Sequence, residues 1–94
     1  MFMGAYGISV QGVMEGDPLL IRAEQRLIGQ AEELVVLADS LKFERKTGLI
    51  LCALPRVGCV ITDSDAPDAS VQMLERAGVR VVVVEPNGQP RPLH

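Results

Sequence analysis

Five consecutive apolar residues, Leu34-Val35-Val36-Leu37-Ala38, stop abruptly at Asp39-Ser40-Leu41-Lys42. The run is too short for a helix of ordinary length and polar on neither face. That pattern predicts a central parallel strand, covered by helices on both sides. Ligands of open α/β sheets bind just beyond the carboxyl ends of the strands. Asp39, Ser40 and Lys42 therefore offer an acceptor, a hydroxyl and a cation where such a sheet does its chemistry.

The remaining chain supplies neighbours for that strand. Phe2-Met3 read as the end of a first strand running into Gly4-Ala5-Tyr6-Gly7, and Gly12 and Gly16 prolong a loop. Closely spaced glycines let a backbone turn sharply and bring its N–H groups near a ligand, although an ordinary turn has the same look. Asp17 and Pro18 have the N-cap and first-turn chemistry of a helix reaching about Ala31. Leu20, Ala23, Leu27 and Ala31 form its expected apolar face. Ser40–Thr47 reads as a polar loop, and Gly48–Leu54 as an apolar segment of either state. Cys59–Thr62 predicts a strand ending at Asp63. A second helix follows, capped by Asp65 or Ala66, with Pro67 in its first turn, Val71, Leu74 and Ala77 inward, and Gly78 ending it. Val79–Val84 completes a strand–helix–strand unit with a right-handed crossover. Residues 1–85 are expected to be one unit of structure and 86–94 a flexible C-terminal tail.

Composition narrows the function classes. With 94 residues and 48% hydrophobic content, one packed core is within reach. A net charge of −3 argues against a nucleic-acid surface on this chain, because phosphate contacts need clustered Lys and Arg. No segment approaches membrane-spanning length, and the start lacks the features of a signal peptide. Cys52 and Cys59 are too far apart for a CxxC pair, so two reduced core thiols, no metal and no cofactor are expected, in a cytoplasmic protein.

Three segments in this order, Phe2-Met3-Gly4-Ala5-Tyr6-Gly7-Ile8-Ser9, Val35–Phe43 and Val60-Ile61-Thr62-Asp63, resemble the sensor domain of DeoR-type transcriptional repressors. The resemblance covers about Phe2 to Val84. It implies an α/β fold, a mostly parallel sheet with flanking helices, as the C-terminal part of a fold similar to ribose-5-phosphate isomerase and glucosamine-6-phosphate deaminase. It also implies a module that binds a phosphorylated sugar or related metabolite, with Gly4 and Gly7 shaping the loop and Asp39, Ser40 and Lys42 lining the site. Lys42 would contact phosphate or a sugar oxygen. This chain departs from the pattern at Leu41, where the family usually has Ser, and at Val13–Asp17, where a Thr-rich segment is common. The family's helix-turn-helix and the earlier half of its sensor domain have no counterpart here, so the chain reads as a carboxyl-terminal portion.

Other roles stay open for these residues. Asp39 can equally cap the following turn, Lys42 can be a solvated loop lysine, and helix capping accounts for Asp65. Glu15 has no visible acidic partner and reads as a solvated loop residue. Without a paired-carboxylate loop, a sugar-phosphate isomerase or deaminase fragment is the alternative to an effector sensor, and no catalytic residue is assigned. A structural module without ligand is the third class. With only two helices to cover it, the sheet is expected to leave an association surface, making the chain a homo-oligomer.

Overall fold

The computed structural model describes residues 1–85; the expected tail, 86–94, lies outside the described residues. Four strands, β1 (Phe2–Gly4), β4 (Val35–Leu37), β6 (Cys59–Asp63) and β7 (Arg80–Val84), form one parallel sheet in that order. The Leu34–Ala38 run thus sits between β1 and β6, inside the sheet as its pattern requires.

The segment expected to be a glycine-rich loop is different. β2 (Gly7–Ser9) and β3 (Gly12–Glu15) form an antiparallel hairpin, and β5 (Leu49–Cys52) pairs with β3 to make a second, three-stranded sheet. The hairpin is invisible to local pattern because its apolar residues do not alternate, and pairing with β5, about 35 residues downstream, holds it. Gly12 permits that pairing: at φ +139°, an added Cβ would lie 2.2 Å from the Cys52 carbonyl oxygen. Ser40–Glu44, expected as loop, is a 3₁₀ turn.

Helix α1 (Pro18–Gln30) begins as its sequence predicts, with Asp17 accepting from the Leu19 amide at 2.9 Å. Its inward face is not the expected one. Ile28 is buried and Ile21 half-buried, whereas Leu20, Ala23 and Leu27 are exposed. Two apolar stripes lie one residue, about 100°, apart on this helix, so periodicity alone cannot choose between them. Arg56 ties the helix end down by donating to the Ile28 and Ala31 carbonyls. Helix α2 (Asp68–Arg76) starts one turn position later than expected: Pro67 is the N-cap and gives no side-chain bond. Asp65 instead donates its amide to Asp63. At the other end Gly78, at φ +88°, donates to the Glu75 carbonyl and Val79 to that of Leu74, a Schellman closure.

The faces of the parallel sheet are unequal. Val36 and Val60 share one face with Met3 and Val81, and these pack with Ile28 of α1, Leu74 of α2 and Ile8, Val13 and Leu51 of the second sheet in one core. Both described helices therefore lie on the same side. Phe2, Leu37, Ile61, Val82 and Val84 point the other way and none belongs to that core. Phe2 is 70% and Leu37 45% exposed. No described helix lies on that face, where the unbroken apolar run predicts cover, although Val35 and Cys59 on it are buried.

Candidate functional site

The carboxyl ends of β1, β4, β6 and β7 converge on a cleft of about 660 Å³. β1 contributes Gly4 and the following Ala5, β4 leads into Ala38, Asp39 and Lys42, β6 brings Ile61, Thr62 and Asp63, and β7 brings Val84 and Glu85. A parallel sheet necessarily gathers its strand ends on one edge, which is why residues 4, 39, 42 and 63 meet.

Of the residues singled out from the sequence, Gly4, Asp39 and Lys42 line this cleft, while Ser40 and Gly7 are not among its lining residues. Asp39 caps the following turn and also lines the cleft. Its Oδ1 accepts from the Leu41 amide at 3.1 Å, capping the 3₁₀ turn, and its Oδ2 lies 4.0 Å from Lys42 Nζ. Ser40 acts from behind the wall: its amide donates to Asp63 Oδ2 at 2.9 Å, clamping the β4 end to the β6 end. The Ser40 amide, then the Asp65 amide, hold the Asp63 carboxyl below the usual carboxylate range. Gly7 lies in the hairpin, where an added Cβ would approach the Met14 methyl and Arg45 Cβ below 3.0 Å. It lets the hairpin pack closely on the Lys42–Arg45 segment.

Two polar features escaped the sequence reading. Thr62 is buried at 4% exposure, and its Oγ1 finds no hydrogen-bond partner among the described residues. The available signal was one polar side chain at the last inward position of an otherwise apolar strand. The second is a carboxyl pair away from the cleft. Glu15 accepts from the Gly16 and Asp17 amides and neighbours Glu24 of α1. Hydrogen bonding to Glu15, with burial and the Glu15 charge behind it, pushes the Glu24 carboxyl up to about 7. Glu15, read as a solvated loop residue, is thus a half-buried strand end with an acidic partner nine residues ahead. Neither glutamate lines the cleft.

Among the described residues no three His, Cys, Asp or Glu side chains group as a metal site, and no helix is long and apolar enough to cross a membrane. Cys52 and Cys59 are free thiols.

Comparison with known proteins adds to this geometry. The family model for the DeoR C terminal sensor domain matches residues 1–64. The HTH-type transcriptional regulator UlaR of Shigella dysenteriae serotype 1 (strain Sd197) is 31% identical over 84 residues, covering 89% of this chain and 34% of that protein. UlaR of Escherichia coli (strain K12 / DH10B) is similar to the same extent, 31% over 84 residues. The chain spans about a third of the length of these relatives. No solved structure matches it.

Proposed function

The chain belongs to the DeoR-type C-terminal sensor-domain family, and from that premise we propose that it is the effector-sensing and oligomerisation part of a transcriptional repressor. In this reading residues 1–85 bind a phosphorylated sugar or related metabolite in the strand-end cleft and so control DNA binding by a helix-turn-helix domain elsewhere in a longer cytoplasmic regulator. The chain itself makes no DNA contact. One observation carries the proposal: Gly4, Asp39 and Lys42, separated by up to 38 residues, line a single cleft at the ligand-binding edge of the sheet.

Lys42 is the cation for a phosphate or sugar oxygen, Asp39 orients it across 4.0 Å, and Ser40 sets the wall by holding Asp63. Gly4 keeps the β1 end without a side chain, and Gly7 shapes the approach indirectly through the hairpin. The relatives are regulators, and the carboxyl pair Glu15–Glu24 stands outside the cleft, which supports sensing over catalysis.

Calorimetric titration of the chain with a panel of pentose and hexose phosphates tests the reading. Saturable binding by at least one member is the expected result. A panel that leaves both heat and melting temperature unmoved, or any member turned over to its isomer, contradicts it.

A further inference from the structure

We propose that the outer face of α1 docks a helix of a partner protein, one whose apolar stripe is bordered by acidic residues.

The face is what the fold leaves uncovered on this helix. Of the 13 residues of α1 only Ile28 is buried, with Ile21 and Glu24 half-buried. Leu20 is 48%, Leu27 54% and Leu19 89% exposed, and Ala23 is exposed between them. At about 100° per residue, Leu20, Ala23 and Leu27 fall within about 60° of arc, with Leu19 about 40° further round. Their spacing of i, i+3 and i+7 is that of a helix meeting another helix. α2, on the same side of the sheet, is different. Apart from Ala69, its exposed side chains are Asp68, Gln72, Glu75 and Arg76. Single apolar residues on a surface need no account, but a stripe along one helix marks a contact surface.

Charge identifies the occupant. Arg22 and Arg26, one turn apart, border the stripe beyond Leu19, on the side away from Ile21 and Ile28. Neither makes an ion pair among the described residues. The acids nearby are committed elsewhere. Asp17 caps the helix by accepting from the Leu19 amide, and Glu24, the one acidic residue of α1, hydrogen-bonds to Glu15, which with burial pushes its carboxyl up to about 7. Two copies meeting through α1 would therefore bring no free carboxylate to these arginines, and an antiparallel pair would oppose arginine to arginine. Aspartate or glutamate along the flank of a partner helix answers both. The leucines supply the affinity; exposed ion pairs are worth little each but decide which partner fits.

Two designed peptides of about three heptads serve as probes, with leucine at a and d and either glutamate or lysine at e and g. The glutamate peptide is expected to gain helical circular dichroism on mixing with the chain. In an NMR titration of the isotope-labelled chain it should shift the amides of residues 19–27, which the lysine peptide leaves in place. Leu27→Gln should weaken that binding roughly tenfold or more without lowering the melting temperature. Arg22→Glu combined with Arg26→Glu should reverse the preference, so that the lysine peptide binds and the glutamate peptide does not. Equal binding of both peptides, or a double variant that keeps its preference, overturns the charge match, and binding of neither overturns the docking face. Phosphatidylglycerol vesicles that shift the same amides while the peptides do not overturn the proposal in favour of a membrane surface. A Leu27→Gln chain that loses oligomer size in light scattering overturns it in favour of a second copy.

Discussion

Two side chains can be interrogated singly. Lys42 is partly exposed and only 4.0 Å from a carboxylate, so its fold contribution is small and its value lies in the ligand contact. Lys42→Ala is expected to weaken sugar-phosphate binding by about 1.5–3 kcal/mol, the worth of a charge-assisted hydrogen bond, with little change in urea midpoint. Unchanged affinity by calorimetry would take Lys42 out of the site. Glu24 titrates in an accessible range. Its folded carboxyl is raised from 4.5 to about 7, so the folded state holds its proton more tightly than the unfolded chain does. That contribution is complete below about pH 4.5 and disappears as pH climbs through about 7. Glu15, shifted down, acts oppositely and loses its contribution as pH falls below its ordinary value of 4.5. The urea midpoint should therefore decline between pH 5 and pH 8, and Glu24→Gln should flatten the decline. An equally steep decline in the variant would mean that Glu24 is not the group responsible.

At the scale of elements, the helix ends carry much of the specification. Gly78 in its left-handed conformation lets α2 stop and β7 begin within two residues. Gly78→Ala has open space for its methyl group but an unfavourable φ, so a cost of about 1–2 kcal/mol is expected in chemical denaturation. Arg56 closes α1 from a distant 3₁₀ turn by bonding two terminal carbonyls. Arg56→Ala takes the guanidinium donor from the Ala31 carbonyl and leaves the Ile28 carbonyl with the Ala31 amide alone, and should cost about 1–3 kcal/mol, with Arg56→Lys recovering only part, because one ammonium does not reproduce the planar fork. A full recovery by lysine would point to charge alone.

For the whole molecule the decisive feature is that both described helices pack on one side of the parallel sheet. Phe2 and Leu37 are largely exposed on a face that holds Ile61, Val82 and Val84, an apolar surface of the kind that associates in water. The isolated chain is expected to form a dimer or higher oligomer through it, measured by light scattering over a wide concentration range. Leu37→Glu should shift the population toward monomer while α1 and α2, on the opposite side, stay intact by circular dichroism. A folded monomer at high micromolar concentration argues against association through this face.

Much of the fold was legible because local chemistry and local structure coincide. Leu34–Ala38 is apolar on both faces and became an interior strand; Asp17-Pro18 opened a helix and Gly78 closed one; Cys59–Asp63 and Val79–Val84 are β-branched runs that paired in parallel. Asp39 and Lys42 were legible as site candidates for the same reason, standing directly after a strand whose end has a known direction. The β2–β3 hairpin was not, since its stability comes from β5 and from a glycine contact only folding creates. Nor was the inward face of α1, where two equivalent apolar stripes compete and the sheet beneath selects Ile21 and Ile28. Thr62 and Asp63 line the cleft beside Asp39, and Glu15 neighbours Glu24, through proximity in space that sequence spacing does not encode. Strand identity is a property of short windows, whereas a binding cleft is a property of which strand ends the sheet order brings side by side.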